Sequence, residues 1–103
     1  MDIEALHSAL ERGLVHVTDH ADEEANAADL ILDQIYDSLR SGEVIEDYPR
    51  DRPYPSCLVM GYTGEGKPVH SVWAYNHQTS FSVLVTVYRP DPARWYDDFR
   101  KRR

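Results

Sequence analysis

The hydrophobic pattern along this chain changes period once. Ile3, Leu6 and Leu10 recur at helical spacing, and Leu32, Ile35, Tyr36 and Leu39 repeat that stripe further on. Asp2 suits the start of the first helix and Gly13 its end, so the spacing predicts a helix over 2–12. Leu14 to Val17 is brief and β-branched, a strand or an extended connection. Thr18 or Asp19 is placed to cap a second helical stretch over 20–28, rich in acid and alanine. Asp29 restarts the pattern, and Arg40-Ser41-Gly42 closes a third helix.

From Glu43 onward the apolar residues alternate with period 2. Strands are predicted over 43–48, 56–62, 68–76 and 81–89. Pro49 to Pro55 holds three prolines and reads as an irregular loop. Residues 63–67 and 77–80 are hairpin connections, and Pro90-Asp91-Pro92 stops the sheet. Beyond Ala93 a short helix carrying Trp95, Tyr96 and Phe99 is expected. The fold class is α+β, a single domain over 1–103. It is helical over 1–42, with the helices packed on a four-stranded antiparallel sheet over 43–89 and a basic tail over 90–103.

Alternation sorts the strand residues by face. A symmetric last hairpin sets His70 opposite Thr86, Val72 opposite Leu84 and Ala74 opposite Ser82, with Tyr88 diagonal to His70. Leu58, Met60 and Tyr62 join this face. The other collects Cys57, Val59, Val69, Ser71, Trp73, Tyr75, Phe81, Val83, Val85 and Val87, and its apolar character suits the helices. The His70 face is then left free for water, a ligand or a partner. A slip of one residue would reverse the assignment.

Charge sharpens the division. The formal net charge is −7 over 103 residues. Residues 1–48 carry thirteen acids against two arginines, whereas residues 49–103 carry nine lysines and arginines against five acids. Four of the nine are consecutive, Arg100, Lys101, Arg102 and Arg103. The net sign argues against a general nucleic-acid binder; the sign of the second half does not. A lone Cys57 excludes an intrachain disulfide and a cysteine-rich zinc site. No apolar run approaches the roughly 18–20 residues that span a bilayer. The start of the chain is acidic where a signal peptide is basic, so a cytoplasmic protein without a membrane partner is expected. No P-loop, Rossmann glycine pattern or serine elbow occurs, and no cofactor is expected. His16 and His20 stand four apart near Asp19 and Glu23, yet His16 falls in an extended stretch, so no metal site is expected.

Five strings carry a resemblance: His20-Ala21 at a helix start; Gly42-Glu43-Val44-Ile45-Glu46-Asp47-Tyr48-Pro49; Ser56-Cys57-Leu58-Val59; Pro68-Val69-His70; and Thr86-Val87-Tyr88-Arg89-Pro90-Asp91-Pro92 followed by Trp95. Together they resemble a domain-of-unknown-function family of small bacterial proteins, a distant relative of the RelE, ParE and BrnT toxins. The resemblance implies helices on a four-stranded antiparallel sheet. It also implies a metal-independent ribonuclease of a toxin–antitoxin pair, working or degenerate, with RNA and an antitoxin as partners. The family histidines fall on His20 and His70, and its strand threonine on Thr86. Where many members place an arginine after the first histidine, this chain has Asp22-Glu23-Glu24-Ala25-Asn26.

Metal-independent RNA cleavage needs a base, an acid and cations around the phosphate. His70, His20, Thr86 and Tyr88 are therefore the candidate catalytic residues, and Arg89 and Arg100 the candidate phosphate ligands. A histidine at a helix N-terminus is biased towards neutral imidazole, which suits His20 as a base. The competing readings are a capping His20, a His70 bonded to Thr86 or Tyr88, and a solvated basic tail. The rival function is a non-enzymatic interaction module, binding another protein or forming a homodimer.

Overall fold

The computed structural model describes all 103 residues. Three helices, α1 (Ile3–Glu11), α2 (Asp19–Ala27) and α3 (Leu32–Arg40), are joined by one short strand, β1 (Val15–Val17), lying between α1 and α2. Four longer strands follow: β2 (Glu43–Tyr48), β3 (Ser56–Tyr62), β4 (Pro68–Asn76) and β5 (Phe81–Tyr88). The chain ends in a separate two-stranded ribbon, β6 (Trp95–Tyr96) and β7 (Lys101–Arg102). No helix is long and apolar enough to cross a membrane.

Local chemistry explains the helix limits. Asp2 accepts from the Glu4 amide, and Thr18 from the Ala21 amide. At the far end of α1, Gly13 turns left-handed (φ +72°), and the Gly13 and Leu14 amides return to the Leu10 and Ala9 carbonyls. Asp29 (φ 56°) ends α2 by the same pattern, with Asp29 and Leu30 amides on Asn26 and Ala25. Ile31 precedes α3 without a polar cap, and its amide donates to the Gln34 side chain instead.

The sheet order is β1-β5-β4-β3-β2. The four strands over 43–88 are antiparallel as expected, but the sheet is five-stranded and mixed. The brief β-branched stretch adds to it as a parallel edge, with Val15 beside Ser82 and Val17 beside Leu84. A three-residue strand offers too little alternation to be separated from a linker by pattern.

The helices cover one face, where Leu6, Ile35 and Leu39 pack on Cys57, Val59, Val69, Trp73, Leu84 and Val87. The β4–β5 register corrects the expected pairing. His70 faces Tyr88 directly, Val72 faces Thr86, and a bulge at Val85 then sets Trp73 opposite Leu84. The extra residue brings Leu84 and Val87, three apart, to the helix side. Leu84 therefore leaves the His70 face, and Ser82 goes with it, paired to Tyr75. Val83 and Val85 move the other way and line a hollow with Ala74; Phe81 pairs with Asn76 and is partly exposed. A second bulge, at Ile45, sets Glu43 opposite Met60 and Glu46 opposite Leu58, so both glutamates share the His70 face.

Candidate functional site around His70 and the basic hollow

His70 lies in the middle of the sheet and is fully buried, not open to ligand. The residues expected to form a C-terminal helix instead fold back over it. Asp91 closes a turn by accepting from the Ala93, Arg94 and Trp95 amides, and β6 and β7 pair across Asp97-Asp98-Phe99-Arg100. Three of the four turn residues, Asp97, Asp98 and Phe99, are left-handed, with φ of 55°, 55° and 66°.

This ribbon seals the histidine. The Nε2–H of His70 donates to the Phe99 carbonyl at 2.7 Å, because a carbonyl can only accept. In the neutral ring Nδ1 is then the acceptor, taking the Tyr88 hydroxyl at 3.1 Å. Trp95 stands edge-on to the imidazole with centroids 4.4 Å apart. Burial pushes the His70 pKa below its ordinary value, against the opposing pull of the Phe99 carbonyl and Glu46. Burial also raises the Tyr88 phenol.

The basic tail is mostly exposed, and two of its arginines pair with acids of β2. Arg100, the expected phosphate ligand, is ion-paired with Glu43. Arg102 grips Glu46 through two bonds, at 2.7 and 3.0 Å, while its guanidinium lies 4.7 Å from the centre of the Trp95 ring. This hydrogen-bonded arginine holds the Glu46 carboxyl below its usual range.

Beside the ribbon a hollow of about 350 Å³ is lined by Tyr88, Arg89, Asp91, Arg94, Trp95 and Arg102. Arg89 does double duty here: its Nε and Nη2 donate to the Ala28 and Asp29 carbonyls at the end of α2, at 2.8 and 3.1 Å. Arg94 has no ion pair and no side-chain hydrogen bond. Tyr88 and Arg89 are shared with a second hollow of about 370 Å³ against α2, which Glu24 also lines. Glu24 Oε1 lies 3.2 Å from His20 Nε2 and accepts from the Val87 amide at 3.3 Å. The His20 side chain is 66% exposed.

The expected site residues thus divide. His70 and Tyr88 meet inside the protein, with Thr86 one pair along. His20 stands outside on α2, linked towards Tyr88 only through Glu24 and Val87. The residues that complete the site, Arg94, Trp95, Phe99, Arg102 and Glu46, were not singled out by pattern. Their one legible signal is the match between an acidic Glu43–Glu46 strand and a basic tail.

These features define an α+β domain with a mixed sheet, helices on one face and a basic hollow at the end of β5. The chain belongs to the family described as Domain of unknown function (DUF4258), whose model matches residues 17–89. No curated protein and no solved structure matches the chain.

Proposed function

We propose that this domain is a toxin-like ribonuclease that engages an RNA phosphate at the hollow between Tyr88, Arg89, Arg94 and Arg102. The observation that carries the reading is the gathering of three arginines around one 350 Å³ hollow, with the Arg94 guanidinium unpaired. A planar guanidinium matches a phosphate through paired N–H groups. His20, exposed on α2 and paired with the Glu24 carboxylate that lines the adjoining groove, is assigned as the base for a 2′-hydroxyl. Tyr88 stands between the two hollows, and His70 is assigned a positioning role, holding the Tyr88 hydroxyl from behind. The resemblance to toxin-type ribonucleases supports the same substrate.

A second reading, a non-enzymatic interaction module, draws support from the sealed His70 and from the thirteen acids in residues 1–48. Induction in a bacterial host separates the two. The ribonuclease reading expects growth arrest that His20→Ala and Arg94→Ala each relieve, and cleavage of RNA by pure protein. No arrest together with no cleavage would sink it.

A further inference from the structure

We propose that residues 91–103 form a releasable latch that seals His70, freed when a polyanion takes Arg100 and Arg102 from Glu43 and Glu46. With RNA as the polyanion, the inference rests on the ribonuclease reading above.

The ribbon is attached in a way the rest of the fold is not. The β6–β7 pair shares no backbone ladder with the five-stranded sheet. Its hold on the sheet face comes from the Phe99 carbonyl on His70, the Trp95 ring packed against the imidazole, and the two arginine–glutamate pairs. The ion pairs are in contact with water: the Arg102 side chain is 62% exposed and the Arg100 side chain 35%. Such pairs are individually weak and screened by salt, so a dense array of phosphates competes with them effectively.

The turn that carries Phe99 favours release. Three consecutive residues with side chains, Asp97, Asp98 and Phe99, are left-handed, a conformation that L-residues adopt singly rather than in runs. The trigger is also in the right place. Arg102, one of the two clamping residues, lines the same hollow as the unpaired Arg94, so an anion bound at Arg94 meets the clamp directly. Finally, His70 and Tyr88 lie inside the family segment 17–89, whereas the whole latch lies beyond it.

The test uses the full chain and carbethoxylation of histidine, followed residue by residue by peptide mass, with exposed His20 as the internal reference. In low salt the His70 of the unaltered protein is expected to react at least about tenfold more slowly than His20. In Glu43→Gln/Glu46→Gln the gap is expected to shrink by about tenfold, with hydrogen exchange rising over 95–102 but not over β3 and β4. Inorganic polyphosphate added to the unaltered protein is expected to do the same. A His70 that stays protected in the double variant and under polyphosphate overturns the latch, as does loss of protection across the whole sheet. If polyphosphate opens His70 and RNA neither binds nor opens it, the latch stands and the ribonuclease reading fails. If RNA binds while His70 stays closed under both polyanions, the latch fails and the RNA reading stands.

Discussion

The carbonyl oxygen of Ser38 occupies the place where a β-carbon on Gly61 would stand. Helix α3 therefore rests on β3 at a distance that only glycine permits, and Ile35 and Leu39 reach Val59 and Cys57 as a result. The obstacle is backbone, which cannot swing aside as a side chain would. Gly61→Ala is expected to destabilise the fold by about 1–3 kcal/mol, the usual cost of overpacking a core. For a domain of this size that lowers the melting midpoint by several degrees, roughly 4–8 °C per kcal/mol. A thermal melt unchanged by the substitution would show that α3 can move away freely.

Trp73 donates its indole N–H to the Ser71 hydroxyl at 2.8 Å, with both residues fully buried. Ser71→Ala removes the acceptor but not the burial, leaving a donor without a partner. The expected loss is about 1–3 kcal/mol in urea unfolding. A cost within error of zero would mean that the indole finds another acceptor.

Acid should weaken the protein through His70. Its folded pKa is depressed below the ordinary 6.5 by burial, so the unfolded chain binds the proton more readily. The associated stability is fully present above about pH 6.5 and is lost as the pH falls towards the lowered folded value. Glu46, depressed by Arg102, adds a loss of the same sign further into acid. Melting midpoints taken from about pH 8 to about pH 5 should therefore fall, and His70→Gln should flatten the upper part of that decline. A midpoint that holds level in the unaltered protein would contradict the buried neutral ring.

Cys57 sits in the core, and burial pushes its thiol up to about 12. A thiol attacks only as thiolate. Native protein should resist an aromatic disulfide reagent over hours, while protein unfolded in guanidinium chloride should react at once. Rapid labelling of the native state would reveal frequent opening of the layer between the helices and β3.

Arg94 is exposed and unpaired, so Arg94→Ala should leave the melting midpoint unchanged. If the hollow holds RNA phosphate, the same substitution should weaken binding of a single-stranded RNA. It should also reduce the slope of log affinity against log salt by about 1. Equal affinity and equal slope would place the RNA elsewhere.

Much of the fold was readable because its signals are local and redundant. The first and third helices carry apolar stripes, the first two carry side-chain caps, and Glu43 to Tyr88 alternates between prolines and polar loops that mark its turns. What escaped depends on single residues that leave no trace in pattern. The bulge at Val85 is one valine among four alternating positions, yet it puts Leu84 in place of Val83 on the core face. The ribbon over His70 stands where a short helix carrying Trp95, Tyr96 and Phe99 is expected from the sequence. Its turn uses aspartates and a phenylalanine at positive φ, where a glycine would have announced it. His70 stood out in the sequence, but an alternating pattern records only which face a residue takes. What covers that face is decided by a pairing between Glu46 and Arg102, more than fifty positions apart.

The two rims of the sheet bear on how copies of this protein can meet. One rim is β1, three residues long; the other is β2, kinked at Ile45 and bearing Glu43, Glu46 and Asp47. Shortness, a bulge and like charges are the features that stop strands of neighbouring molecules from adding to a sheet. Stacking into fibres through a shared ladder is thereby discouraged at both ends. Any assembly this protein forms should run through side-chain surfaces, leaving each molecule's sheet closed to its neighbours.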